Sequence, residues 1–311
     1  MSPDIGPRYR PRLASDMPVV YRLFRRSLFD YLRRMGQVDA AADWTSTTAI
    51  EESWLLRATW MEHLAATAAE DWVAEDRDGR VIGWAQSIER DGLLELTMFF
   101  VDPEAQSRGV GRGLLERAFP FGRGHTRTIC ATQDPRAVAL YLRFGVAFVT
   151  STIDVLGPPR AAEIVTDLDI ERVDPAASAD AEASIVDVER ALLGHGRRED
   201  TRFLLGDRPA WLARRAGRVV GMAFGIAGDS CGPIGALDPA DLPALMATIE
   251  NDAAERDVTE LGFTIPMANS TALDHVLARG FKVDTWFGFI LSSTGRMQLD
   301  RYVHTQPTYI L

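Results

Sequence analysis

The sequence predicts an α/β (α+β) chain built from two similar domains, and three observations carry that prediction. At 311 residues the chain exceeds what one hydrophobic core usually organises, and its 46% apolar content is that of an ordinary globular protein. Segments repeat in order: "WVAEDRDGRVIGWA" (72–85) returns as "WLARRAGRVVGMA" (211–223), "VDPEA" (101–105) as "LDPAD" (237–241), and "ALYLRFG" (139–145) as "DHVLARG" (274–280). The offsets are close to constant at 138, 136 and 135 residues, as expected of one fold written twice. Within each copy, strand and helix patterns alternate in a mixed order that suits a layered sheet with helices on it.

Taken in order, "YRPRLAS" reads as an opening strand, and Ser15 or Asp16 as a cap for the helix "MPVVYRLFRRSLFDYLRRMG". A second helical stretch runs from about 49 to 69 and carries Trp54, Trp60 and His63. The repeated segment at 72–85 alternates apolar residues around Asp78-Gly79, the pattern of a hairpin, and its counterpart turns at Ala216-Gly217. Strand "LLELTMFFV", a glycine-studded segment with its helix, strand "TRTICAT", helix "PRAVALYLRFG" and strand "AFVTSTIDVL" complete the first copy. Paired prolines and small residues in "LGPPRAAE" mark the connection, which sets the expected domains at 1–157 and 158–311.

Composition narrows the function. A formal charge of −10 argues against a nucleic-acid surface and mildly favours cationic small molecules. No apolar run is long enough to span a bilayer, and "MSPDIGPRYRPR" has no signal-peptide core, so a cytoplasmic protein without membrane attachment is expected. Cys130 and Cys231 stand far apart without metal or disulfide spacing and read as small buried apolar residues; the five histidines are dispersed, so no metal is expected.

The chemistry concentrates in "VDPEAQSRGVGRGLLERAFP" (101–120). Each glycine inside a helix costs about 1 kcal/mol relative to alanine. A strand running into a helix whose first turn is Gly-x-Gly-x-Gly leaves several backbone N–H groups unpaired and uncovered by side chains, which is an anion site reinforced by the helix dipole. Charge-assisted hydrogen bonds of about 1.5–3 kcal/mol each offset the glycine cost. The plainer alternative is a closely packed helix start. The spacing matches neither a P-loop nor the dinucleotide fingerprint.

Gln106-Ser107-Arg108-Gly109-Val110-Gly111 resembles the Gln/Arg-x-x-Gly-x-Gly/Ala signature of the GCN5-related N-acetyltransferase (GNAT) superfamily. Asp134-x-x-Ala137-x-x-Leu140-Tyr141, followed by Gly145 and Phe148, resembles the family's second segment, with Asp134 replacing the usual Asn and two extra residues before Phe148. The resemblance covers about 9–156 through motifs and the second copy through the repeat alone. It implies two tandem GNAT-like domains, each a mixed, mostly antiparallel sheet with splayed central strands flanked by helices. It also implies acetyl-CoA as cosubstrate, with the backbone of Phe99, Phe100 and Val101 pairing with the pantetheine arm. The amides of Arg108, Gly109, Val110, Gly111, Arg112 and Gly113 are then expected to hold the pyrophosphate, Gln106 to shape the turn, and Arg108 and Arg112 to add charge. Asp134 is carried into the cofactor-binding set by the second motif.

Acetyl transfer to an amine requires removal of an ammonium proton, which at neutral pH costs about 4–5 kcal/mol. Glu95 is the candidate base: alternation puts it on one strand face with Thr97, Phe99 and Val101, six residues before Val101, where some histone-type members of the family carry theirs. The alternative is an ordinary exposed strand carboxylate. Tyr141 matches the family tyrosine that protonates the departing thiolate, the alternative being a tyrosine packed in the core. Trp44, Trp54, Trp60 and His63 either line the acceptor pocket or are core residues on a helix face.

In the second copy a fixed offset of 136 puts Leu245, Ala247 and Cys231 where the first has Gly109, Gly111 and Glu95, and 135 puts Val276 at Tyr141. The second domain is therefore expected to be a degenerate copy that packs on the first, contributes to the acceptor site or mediates homodimerisation. The apolar, aromatic segment "LDRYVHTQPTYIL" is expected to return and cover the domain interface. The leading function is an acetyl-CoA-dependent N-acetyltransferase for a small-molecule amine. Alternatives are another acyl-CoA or a hydroxyl acceptor, and a non-catalytic acyl-CoA-binding or regulatory module.

Overall fold

The computed structural model describes residues 6–38, 43–174, 178–228 and 230–311. Contacts gather them into one unit comprising residues up to Glu89, Leu93–Ile129 and Gln133–Ala147, and another comprising Arg90–Gly92, Cys130–Thr132 and Phe148–Leu311. Among the described residues no helix is long and apolar enough to cross a membrane.

In the first unit, strand β1 (Arg8–Pro11) leads into helix α1 (Met17–Arg34), which buries Val20, Tyr21, Leu23, Phe24, Tyr31 and Leu32 at helical spacing. Asp16 holds the N-cap position, yet its carboxylate bonds Arg10 at 2.6 Å and the Leu13 amide at 2.7 Å instead of a helix amide. Helix α2 (Thr47–Ala66) is capped by Ser46, whose hydroxyl accepts from the Ala49 amide. Strands β2 (Ala68–Glu75) and β3 (Val81–Arg90) form the expected hairpin, its turn closed by Asp76 accepting from the amides of Asp78 and Arg80. The sheet order is β1, β2, β3, β4 (Leu93–Val101), β5 (Thr126–Thr132); β4 and β5 are parallel. Helix α3 (Val110–Ala118) and helix α4 (Pro135–Arg143) each follow one of that parallel pair.

The second unit repeats the order. After β6 (Ala147–Gly157) and β7 (Asp169–Arg172) come helices α5 (Ser178–Leu193) and α6 (Arg198–Asp207) and the hairpin β8 (Ala210–Arg215)–β9 (Arg218–Phe224). That hairpin turns on Ala216 and Gly217 at φ +48° and +78°, the two left-handed residues a type I′ turn requires. Then follow β10 (Ile234–Ala236), α7 (Leu242–Glu255), β11 (Leu261–Pro266), α8 (Ser270–Ala278), β12 (Lys282–Ser292) and β13 (Tyr302–Val303). One sheet runs β13, β10, β9, β8, β7, while β12, β6 and β11 lie side by side.

The two copies share a packing detail. A Cβ on Gly83 of β3 would lie 2.8 Å from Leu114 of α3, and one on Gly221 of β9 would lie 2.9 Å from Leu245 of α7. Each glycine lets a helix leucine rest directly on the sheet.

Candidate active site

The site is built where β4 leaves β5. Their ladder runs from Leu93 opposite Thr126 to Leu96 opposite Ile129 and ends there, so the backbone of Thr97–Val101 continues beyond it. Glu95 sits one residue before the last pair of the ladder, opposite Thr128, and is 1% exposed. That burial removes the reading of an ordinary solvated carboxylate. Past the opening, Phe99 and Val101 lie under α3, within 3.0 and 3.6 Å of a Cβ placed on Gly111, while the Phe100 ring packs on Phe24 of α1 with centroids 4.8 Å apart. The Val101 carbonyl accepts from Ser27 Oγ at 3.2 Å and from Gln106 Nε2 at 3.1 Å. Gln106 thus ties the turn to the strand end.

From that turn the chain reaches α3 through two left-handed residues, Ser107 at φ +65° and Gly109 at φ +81°. Gly109 is the N-cap and faces open space. Among the described residues, no protein acceptor is bonded to the amides of Ser107 to Arg112. The first amide used by the helix is that of Gly113, which donates to the Gly109 carbonyl at 3.1 Å. This corrects the expected cradle at one end: Gly113 has no amide to offer. Its glycine serves packing instead, because a Cβ there would lie 2.2 Å from Tyr9 Oη. Gly113→Ala is accordingly expected to destabilise the protein by about 1–3 kcal/mol, read as a lower urea midpoint, and Tyr9→Ala in the same chain should cancel most of the further loss. Arg108 is exposed, and Arg112 pairs with Glu116 one turn on at 2.9 Å.

Asp134 caps α4, accepting from the Arg136 amide at 3.0 Å, and its carboxylate also meets the guanidinium groups of Arg136 at 2.9 Å and Arg34 at 3.0 Å. Burial alone would raise its pKa; the Arg136 and Arg34 hydrogen bonds outweigh that and hold it at about 2. The folded value lies below the ordinary 3.8, so this cap adds stability above about pH 4 and loses it as pH falls toward 2. Asp134→Asn should flatten the acid limb of an unfolding-versus-pH curve in that window. The Tyr141 ring meets Phe99 edge-on at 5.7 Å, and burial, with the Asp134 charge added, raises its phenol well above the usual range. Neither Arg34 nor Tyr9 was legible as a partner in the sequence, since each lies about 100 residues from its contact.

The remaining aromatic candidates divide. Trp60 is buried, Trp54 meets Tyr21 edge-on at 4.9 Å, and Trp44 lies under the Arg25 guanidinium at 4.9 Å. His63 is half-buried on α2, and its carbonyl accepts from Thr67 Oγ1 at 2.9 Å. Cys231 is buried, and desolvation pushes its thiol up to about 12. Cys130 differs from expectation: it is half-exposed, with Sγ 3.3 Å from His304 Nε2. Among the described residues no group of three or more His, Cys, Asp or Glu could hold a metal ion.

The second copy has lost the loop, not merely its glycines. In the first copy Gln106–Gly109 separate the short 3-10 turn Pro103–Ala105 from α3; in the second, α7 starts at Leu242 immediately after the turn Pro239–Asp241. The fixed offset therefore misaligns the helices, and Leu245 corresponds in packing to Leu114. At the start of α7, Asp238 accepts from the Ala240 amide and Asp241 pairs with Arg215 at 2.7 Å, which puts carboxylates where an anion would have to sit. Val276, at the position of Tyr141, is fully buried.

The model of the acetyltransferase (GNAT) family matches residues 32–146, the span that holds the opening ladder, the glycine turn and α4. The matched span is 115 of the 311 residues. Solved GNAT structures share the fold of the whole chain. An acetyltransferase-like protein of Pyrococcus horikoshii is 14% identical, with 96% of this chain and 93% of that one covered at a TM-score of 0.65. A GCN5-related N-acetyltransferase of Sphaerobacter thermophilus is 15% identical over 92% and 95%, at 0.59. A tandem GNAT protein from the clavulanic acid biosynthesis pathway is 14% identical over 92% and 98%, at 0.57. At such identities the likeness establishes the tandem GNAT fold. No curated protein matches the sequence.

Proposed function

We propose that the chain is an acetyl-CoA-dependent N-acetyltransferase for a small-molecule amine, with the site in residues 1–157 and the remainder a degenerate copy. The observation that carries this is the run of amides from Ser107 to Arg112 without a protein acceptor, behind a left-handed Gly109 that faces open space. Those donors, at the positive end of α3, suit a pyrophosphate. The backbone of Phe99–Val101 lies free of β5 and can pair with an amide-bearing arm as a strand would, although Ser27 and Gln106 already engage the Val101 carbonyl.

When bound, acetyl-CoA supplies the thioester that an amine attacks. Glu95 takes the ammonium proton, directly or through one water, beside the end of the ladder. Tyr141, kept protonated by burial, gives its proton to the departing sulfur. Phe99 packs on that ring and fixes its direction.

Calorimetric titration with acetyl-CoA tests the reading. One site per chain is expected, with affinity at least about 100-fold weaker in Gly109→Glu, where a carboxylate enters the cradle and φ +81° disfavours any side chain. A screen of amines by free-thiol release then separates an enzyme from a binding module. Two sites per chain, or wild-type affinity in the variant, defeats the assignment.

A further inference from the structure

The first copy opens between β4 and β5; in the second copy the corresponding strands are β10 and β11, and a segment of the chain runs between them. Tyr302 and Val303 pair antiparallel with Gly235 and Ile234 of β10. On the other side the His304 amide donates to the Thr264 carbonyl of β11 at 2.9 Å. Asn269, the N-cap of α8 and the counterpart of Asp134, donates through Nδ2 to the Tyr302 carbonyl at 3.1 Å. Gln306 closes the far end: its amide donates to the Cys231 carbonyl at 2.8 Å and its Nε2 to Thr264 Oγ1 at 3.1 Å.

The walls are shaped for a backbone. A Cβ on Gly232, which sits at φ +77°, would lie 2.7 Å from the His304 carbonyl oxygen. Glycine is the residue that admits so close an approach. Tyr302, Val303, His304 and Thr305 are each at most 1% exposed. A strand added between two others, with backbone bonds on both sides and buried side chains, is the arrangement by which proteins bind extended peptides.

We propose that the cleft of the second copy is a peptide-binding site, selective for an extended segment with the aromatic and β-branched pair Tyr-Val, and that Tyr302–Gln306 is its resident ligand in cis. The splay that stays open in the first copy is filled by main chain in the second. The lost turn before α7 and the carboxylates of Asp238 and Asp241 remove the phosphate end, while the splay itself remains and receives main chain. This assignment is independent of the function proposed for the first copy.

The experiment keeps the full chain. A protease site inserted after Thr294, where the flanking Ser293, Gly295 and Arg296 are exposed, allows cleavage after folding. The fragment is expected to stay with the body through gel filtration and to exchange with a labelled synthetic peptide of residues 298–311. A peptide carrying Val303→Asp should compete at least about tenfold less well. Immediate loss of the fragment, with the unfolding midpoint of the body unchanged and no uptake of the labelled peptide, overturns the proposal. So does equal competition by the Asp-bearing peptide, which would mean that the groove does not read the segment.

Discussion

Tyr141→Phe should lower kcat by about 10²-fold or more while leaving acetyl-CoA affinity and the unfolding midpoint within experimental scatter. The substitution removes one oxygen and keeps the ring that packs against Phe99 at 5.7 Å, so a purely structural tyrosine would show little change in rate. Burial, reinforced by the Asp134 charge, raises the phenol pKa and keeps the proton on oxygen through the working pH range. Donation to the departing thiolate, whose thiol titrates near 8.5 in water, relies on the same desolvation, which raises the basicity of a sulfur held beside the buried phenol. Direct comparison of kcat and of calorimetric affinity separates the roles. Loss confined to kcat supports proton donation, whereas unchanged turnover returns Tyr141 to the core and leaves the sulfur to another donor.

The periodic features of the fold were legible because they are local. Both hairpins, the helix after the glycine turn and the tandem order follow from alternation, turn residues and a repeat that survives as sequence. The glycines show where that legibility stops. Gly109, Gly111 and Gly113 are equivalent in a motif, yet the structure gives them three tasks: Gly109 takes a left-handed backbone in open space, Gly111 clears Phe99, and Gly113 makes room for Tyr9. Only the first two tasks lie within reach of neighbouring residues; the third depends on a strand that begins about 100 positions earlier. The same limit hid Arg34 beside Asp134. It also explains why a constant offset failed at α7: a deletion of a few residues inside a turn leaves flanking motifs recognisable and shifts everything between them. The apolar segment from Leu299 suggests a cover for the domain interface, whereas it runs between β10 and β11 of the second unit, a route that depends on Gly232 and Asn269, which carry no signal for it in sequence.

Glu189→Ala is expected to cost about 3–5 kcal/mol, the largest single effect on stability outside the site. Glu189 on α5 is fully buried, and so is Arg197, with Oε1 and Nη2 2.6 Å apart. The carboxylate also accepts from the Arg197 amide at 3.3 Å and from Thr201 Oγ1 at 3.2 Å. Arg197 in turn donates to Tyr302 Oη at 2.9 Å and to the Leu311 carbonyl. Burial alone would lower the arginine pKa, but Glu189 and its neighbours raise it, so the guanidinium stays charged. Removing Glu189 strands that charge without its counterion, and arginine has no accessible neutral form in which to escape the cost. Set against a typical stability of about 5–15 kcal/mol, the loss should lower the urea midpoint by about 1–2 M. Replacing both partners together, as Glu189→Leu with Arg197→Met, should recover at least half of it, because two apolar side chains leave no charge to solvate. Since Arg197 also holds Tyr302, the single variant should release the cleaved 295–311 fragment faster as well. If the double variant is no more stable than the single one, the loss arises from the remaining bonds to Thr201, Tyr302 and Leu311, and the network holds the segment more than the ion pair does.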